Sequence, residues 1–184
     1  MSKHKQKTVN EKTLQEQYQS CPRAHFFKRM GAYIYDLFAV AALLMLATIF
    51  AILVVIVGNK IGLINLTAYK DSAEYLARSL IFVGYLAAVI IAFYGYFWST
   101  GGQTIGMKAW RLRVQNSDGS DINFTQSLIR MATSAFGLGN IMALFNDRNA
   151  FQDLWAECEV VELTKELSSW KGFKGLSFIE QGKK

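Results

Sequence analysis

Two long segments of the chain contain no charged residue. No Asp, Glu, Lys or Arg occurs from Leu37 to Asn59 or from Ser79 to Met107. An α-helix rises about 1.5 Å per residue, so each segment can cross the ~30 Å hydrocarbon core of a bilayer. The chain is therefore predicted to be an integral membrane protein with two transmembrane helices, from about Met30 to Val57 and from about Leu80 to Trp98.

The basic residues indicate how these helices are oriented. The chain up to and including Arg29 contains seven Lys or Arg residues, whereas the predicted loop between the helices contains only Lys60, Lys70 and Arg78. Because Lys and Arg are enriched on the cytoplasmic side, the N-terminus is predicted to be cytoplasmic. A polar segment precedes the first apolar run, so that run is expected to act as an uncleaved signal-anchor. The net charge of +6 is interpreted as membrane orientation, not as nucleic-acid binding.

Few residues have the pattern of an enzyme or metal site. The chain has two histidines and two cysteines, without a metal-like spacing. The segment Gly101–Lys108 lacks the Gly-Lys-Ser/Thr ending of a phosphate loop, so it is interpreted as a turn with Thr104 capping a helix. We expect no enzymatic activity, no cofactor and no metal.

Alternating residues after the second helix predict a small cytoplasmic β element. Trp110–Gln115 and Asp121–Phe124 flank an Asp118-Gly119 pair, which is typical of a β-hairpin turn. Glu157–Leu163 also alternates and is predicted to be a strand. If this strand pairs with Arg111–Val114, both strands must lie on the same side of the membrane.

The position of that strand affects a third apolar stretch, Phe124–Phe145. It contains Arg130 near its start and Gly137–Asn140 in its middle. With both strands on one side, the stretch would be re-entrant or interfacial, and otherwise it would be a third full span. The predicted fold is thus an all-α membrane protein with two firm transmembrane helices, a third broken apolar segment and a small cytoplasmic β element.

Asp36 is the strongest candidate for a functional residue. An ionised carboxylate inside a membrane costs at least about 2.5 kcal/mol, so it should be neutral, solvated or paired. Arg29 lies on the same helix face, with Tyr33 between, but about 10 Å away along the axis. A third group or water would therefore bridge them, and Arg130 is a second candidate partner. These charges either bind an ion or proton, or form structural contacts.

Two further aspartates follow the third apolar stretch. Asp147 could cap and solvate a helix end. Asp153 lies between Phe151 and Leu154-Trp155, an amphipathic setting that suggests a fixed role. Both are candidates for a site with Asp36.

The order of these motifs resembles the RDD family of bacterial membrane proteins, which is named for one arginine and two aspartates. Arg29-Met-Gly-Ala-Tyr-Ile-Tyr-Asp36 is similar to its Arg-x-x-Ala-x-x-x-Asp opening, and Gly102–Lys108 to its Gly-Gln-Thr-x-Gly-Lys segment. Leu112–Val114, the Asp118-Gly119 turn and Ser127–Arg130 follow in the family's order. Phe151–Ala156 with Val160-Val161 resembles the closing His-Asp-x-x-Ala-Gly-Thr-x-Val-Val segment. The resemblance covers roughly residues 24–163, between a polar basic segment (1–23) and a polar tail (164–184).

The resemblance assigns Arg29, Asp36 and Asp153 to the three signature positions, with Asp147 as the runner-up for the third. The chain departs from the pattern at Gln152, where His is common, and at Glu157-Cys158, where Gly-Thr is common. It implies a multi-pass protein of the bacterial inner membrane that transports an unidentified ligand or exchanges monovalent cations for protons. Transport through two spans would require a homo-oligomer. The alternative is a non-transporting scaffold or accessory protein whose charged residues are structural.

Overall fold

The computed structural model describes residues 14–144 and 149–169. These residues form two compact units, one comprising the chain up to Asp36 and from Tyr94 onward, the other Leu37–Phe93. Residues 14–19 are helical. The elements that follow are α1 (Phe26–Lys60), α2 (Ser72–Ala77), α3 (Leu80–Gly101), α4 (Ile105–Ala109), β1 (Leu112–Gln115), α5 (Phe124–Thr133), a 3-10 helix η1 (Ala135–Leu144), α6 (Phe151–Trp155), β2 (Glu159–Glu162) and α7 (Lys165–Ser169).

The two predicted transmembrane segments are helices long and apolar enough to cross a membrane. Helix α1 has 35 residues and α3 has 22. Helix α1 continues past Gly58 to Lys60, and Ile64 packs so closely beside Gly58 that a Cβ there would lie 2.7 Å from the Ile64 Cδ1. The helix stops only before Gly62, whose φ of 76° favours glycine.

The unit Leu37–Phe93 contains most of both long helices and the loop between them. The Tyr85 hydroxyl donates to the Ala47 carbonyl at 3.4 Å, so it joins α3 to α1. Asp71 caps α2 by accepting from the Glu74 N–H at 2.8 Å. In the most apolar 18-residue stretch of each long helix, only 17% is buried in α1 and only 6% in α3. Such long exposed apolar surfaces are typical of helices surrounded by lipid.

A two-stranded antiparallel sheet organises the other unit. Strand β1 pairs with β2 in a register that places Leu112 opposite Glu162 and Gln115 opposite Glu159. A single bridge from Arg23 to Val161 extends the pairing on the other edge of β2. The core beside the sheet consists of Ala24, Ala32, Trp98, Met107, Leu112, Val114, Ile122 and Val160. The conditional prediction that the 157–163 strand would pair with Arg111–Val114 is therefore confirmed.

The prediction of a β-hairpin around Asp118-Gly119 is wrong. The turn forms, with Gly119 at φ 81° and its N–H donating to the Asn116 carbonyl at 2.9 Å. The chain then enters α5 instead of a second strand. Asn123 accepts from the Gln126 N–H at 2.7 Å, while the Gln126 side chain accepts from the Asn123 N–H at 2.9 Å. This capping box satisfies two backbone donors that would otherwise be unpaired, so it favours a helix start.

The third apolar stretch is helical in two parts. Helix α5 ends at Thr133, and the 3-10 helix η1 follows it. Each part has 10 residues, about half of what a membrane-spanning helix needs.

The end of α6 offers a test of local backbone strain. The Glu157 N–H donates to the Leu154 carbonyl at 3.3 Å and the Cys158 N–H to the Asp153 carbonyl at 3.0 Å, which is a Schellman motif. Glu157 has a φ of 50°, a conformation that costs a non-glycine residue roughly 1 kcal/mol. We expect Glu157→Gly to raise the free energy of unfolding by up to about 1 kcal/mol, measured by denaturation in detergent. Glu157→Ala should change little, and an equal gain in both variants would contradict backbone relief as the cause.

Candidate functional site

Three charged residues from distant parts of the sequence meet inside the first unit. Arg29 lies on the first turns of α1, Arg130 on α5 and Asp153 on α6, and each is at most 5% exposed. The Arg29 Nη1 donates to the Asp153 Oδ2 at 2.5 Å. The Arg130 Nη1 donates to the Asp153 Oδ1. One carboxylate therefore bridges two guanidinium groups, which we call the Asp153 bridge.

Local structure orients each member of the Asp153 bridge. Asp153 occupies the first turn of α6, where its Oδ2 also accepts from the Ala150 N–H at 3.2 Å. Arg29 donates through Nε to the Ala24 carbonyl at 3.2 Å. Arg130 lies over the Trp98 ring, with its Cζ 5.2 Å from the ring centroid. These contacts fix both guanidinium groups beside the same carboxylate.

The bridge is charged at neutral pH. Burial alone would raise the pKa of Asp153, but the positive charges of Arg130 and Arg29 outweigh it and hold that pKa below the ordinary value. Burial tends to lower the pKa of Arg130, and Asp153 reverses this effect and raises it. The Arg130 Nη1 also donates to the Cys158 Sγ at 3.3 Å. Burial raises the pKa of that thiol, so Cys158 contributes no negative charge.

The lowered pKa of Asp153 gives stability a predictable pH dependence. A carboxyl group with a lower pKa in the folded state stabilises the fold above its unfolded pKa. This contribution is lost as pH falls through the folded pKa, which lies below the ordinary 3.8. We expect the unfolding free energy of the protein in detergent to decrease below about pH 4. In Asp153→Asn the unfolding free energy should depend less steeply on pH in this acidic range. The same steepness in both proteins would contradict this role for Asp153.

Asp36 has a separate set of partners. The Thr104 hydroxyl donates to the Asp36 Oδ2 at 2.5 Å, and the Gly106 N–H donates to Oδ1 at 2.8 Å. The Thr104 hydroxyl also accepts from the Met107 N–H at 3.3 Å, so the predicted N-cap is present. The short loop and helix after α3 thus bind directly to the carboxylate on α1. Asp36 is 4% exposed and Thr104 is 1% exposed.

Asp36 and Arg29 have different partners, and the third group or water expected to bridge them stays a prediction. The carboxylate of Asp36 accepts from Thr104 and Gly106, whereas Arg29 and Arg130 both donate to Asp153. Seven residues of α1 separate the two side chains, which is too far for a direct contact, and different elements pack at each position. Tyr33 is partly buried between them on α1. Asp147 lies outside the described residues.

Sequence reasoning missed several members of these sites. Gly106 lies so close to α1 that a Cβ would be 2.9 Å from the Asp36 Cγ, which explains why a glycine follows Thr104 at this spacing. Trp98 and Cys158 contact Arg130, and no local pattern distinguished them. Among residues 14–144 and 149–169, no group of three or more His, Cys, Asp or Glu side chains is placed to hold a metal ion.

Comparison with known proteins identifies the family of this chain. The family model described as the RDD family matches residues 23–157, which is most of the chain. No curated protein and no solved structure matches significantly. The matched region includes Arg29, Asp36 and Asp153, the residues that form the two buried polar sites. The chain therefore belongs to the RDD family and is a membrane-type protein with two apolar helices.

Proposed function

We propose that this protein is a non-transporting membrane scaffold or accessory protein in which the signature polar residues are structural. One observation carries the proposal: every carboxylate oxygen of Asp36 and Asp153 accepts a hydrogen bond from within the protein. A ligand at Asp153 would have to compete with two guanidinium donors, and a ligand at Asp36 with a hydroxyl and a backbone N–H. Buried carboxylates whose two oxygens both find donors within the protein are typical of groups that fix packing.

The charge of the Asp153 bridge also supports a structural role. A cation that approached Asp153 would meet two guanidinium groups within hydrogen-bond distance of the same carboxylate. Like charges in a poorly solvated site repel strongly. Cation binding at Asp153 is therefore unfavourable. Instead, the bridge joins the start of α1 to α5 and α6, which connect the paired strands β1 and β2.

One observation favours cation/proton exchange as a second candidate. The donors to Asp36 are a hydroxyl and a backbone N–H, so they bring no positive charge to this buried carboxylate. An acidic group within an apolar helix and bonded to neutral donors could alternate between a proton and a monovalent cation. Exchange would then depend on Asp36 alone. With two spans per chain, a pathway would require a homo-oligomer.

Flux measurements distinguish the two candidates. Purified protein in sealed vesicles would be given an imposed pH gradient, followed by Na⁺, Li⁺ or K⁺. The scaffold proposal predicts no cation-dependent proton movement, for the native protein or for Asp36→Asn. Cation-dependent collapse of the gradient that Asp36→Asn abolishes and Asp71→Asn retains would overturn it. Asp71 is a suitable control because it is an exposed carboxylate that caps α2 in the loop between the long helices.

We further propose that the protein is a multi-pass protein of the bacterial inner membrane with a cytoplasmic N-terminus. The seven basic residues up to Arg29 support this orientation. Pairing of β1 with β2 supports placing both strands on that side. In a variant with serine at both native cysteines, a thiol reagent applied from outside should label Asn65→Cys. It should not label Asp118→Cys, and the reverse pattern would contradict the orientation.

A further inference from the structure

The helices between β1 and β2 bury polar side chains and expose large apolar side chains, which is the opposite of the usual arrangement in a water-soluble protein. Helices α5 and α6 bury polar residues: Ser127 is 0% exposed, Gln152 3% and Asp153 1%. Their exposed large side chains are apolar: Phe124, Leu128, Ile129, Phe151, Leu154 and Trp155. The 3-10 helix η1 repeats this pattern, with Asn140 buried and Leu138, Ile141 and Leu144 exposed. We call the exposed apolar residues of these three helices the apolar face.

This pattern is unfavourable in water. A soluble protein buries its large apolar side chains, and polar groups prefer its surface. Trp155, for example, is 63% exposed on α6, while its near neighbour Asp153 is buried. The opposite arrangement suits a segment whose outer surface meets hydrocarbon and whose polar groups face protein.

The packing of α5 indicates the depth at which the apolar face lies. The Phe124 ring fills the space beside Gly95 on α3, where a Cβ would be 3.2 Å from the Phe124 Cδ2. Arg130, at the other end of α5, contacts Trp98. Gly95 is six residues, or about 9 Å, before the last residue of α3. Helix α5 therefore lies along the final turns of α3, among the aromatic residues that typically occupy the membrane–water interface.

We propose that the apolar face inserts into one leaflet of the bilayer as a third, non-spanning membrane contact. The two longer helices that carry the face, α5 and η1, have 10 residues each, too few to cross the bilayer. Phe124, a member of the apolar face, packs against Gly95 in the final turns of α3. This proposal goes beyond the scaffold function and does not depend on whether Asp36 exchanges ions.

Spin-label accessibility tests the insertion directly. In the protein with serine at both native cysteines, nitroxide labels at Leu128→Cys and Leu154→Cys occupy exposed positions of α5 and α6. The control is Asp118→Cys, on the exposed turn after β1. In lipid vesicles, each label collides with oxygen and with a water-soluble nickel complex. The ratio of the oxygen collision rate to the nickel collision rate should be several-fold higher at 128 and 154 than at 118. The depth derived from this ratio should place both labels in the outer part of one leaflet.

Three results would overturn the proposal. Equal accessibility of all three labels to the nickel complex would place the apolar face in water. Exclusion of both oxygen and nickel at 128 and 154 would show that the face is covered by protein, for example by a second copy. A depth at the bilayer centre would indicate a spanning segment. A third label at Phe151→Cys, also on the exposed face of α6, keeps the test decisive if one variant does not fold.

Discussion

Asp153→Ala is expected to lower the free energy of unfolding by about 3–5 kcal/mol, the largest loss expected for any carboxylate of the described residues. Its removal leaves Arg29 and Arg130 buried beside one another without their shared counter-charge. Asp153→Asn should be milder, since the amide oxygen can still accept one hydrogen bond. Unfolding by denaturant in detergent micelles, followed by circular dichroism, measures the difference.

An exposed ion pair provides a matched control for this prediction. Glu74 on α2 and Arg78, which caps the C-terminal end of that helix, form an i,i+4 pair at 2.7 Å, and the Arg78 side chain is 68% exposed. Such surface pairs contribute at most about 1 kcal/mol, so Arg78→Ala should have a small effect. If Asp153→Ala were as mild as Arg78→Ala, the Asp153 bridge would not stabilise the fold.

Gly106→Ala should be the second most damaging change, with an expected loss of about 1–3 kcal/mol. A Cβ at this position would meet the Ala32 carbonyl oxygen and lie 2.9 Å from the Asp36 backbone nitrogen. Helix α4 would then move away from α1, which would lengthen the 2.8 Å hydrogen bond from the Gly106 N–H to Asp36. Denaturation in detergent measures the loss.

Gly84→Ala, on α3, is the matched control, because a Cβ at this position would meet nothing within 4 Å. Alanine is favoured over glycine inside helices by roughly 0.5–1 kcal/mol, so this variant should be as stable as the native protein or slightly more stable. A loss of similar size in both variants would mean that close packing at Gly106 is not the cause.

The sequence predicted the long helices well because their signal is local. Absence of charge over more than twenty residues is sufficient to indicate a transmembrane helix, and α3 begins at Leu80 as predicted. The N-cap role of Thr104 was also predictable, since capping depends on a few neighbouring residues. The hairpin prediction was wrong because the turn at Gly119 is compatible with either a strand or a helix after it. The capping box at Asn123 decided between them.

The partners of the buried charges were not predictable from local patterns. Arg29 and Asp153 are separated by 124 positions, and their contact depends on how α6 packs against the start of α1. Helical spacing placed Arg29 and Asp36 on one face of α1 and suggested that a third group or water bridges them. Spacing along one helix says nothing about the elements that pack against that face, and here α4 binds Asp36 while α6 binds Arg29.

A double-mutant cycle between Arg130 and Asp153 measures whether the Asp153 bridge is a structural charge cluster. Arg130→Met should destabilise the native protein, because Arg130 donates to Asp153. The same change should stabilise the Asp153→Asn variant, where Arg130 would be a buried charge beside Arg29 without its counter-charge. The change that Arg130→Met causes in the free energy of unfolding, measured in detergent for the four proteins, should thus have opposite signs in the two backgrounds. An equal loss from Arg130→Met in both backgrounds would show that Arg130 and Asp153 do not stabilise each other.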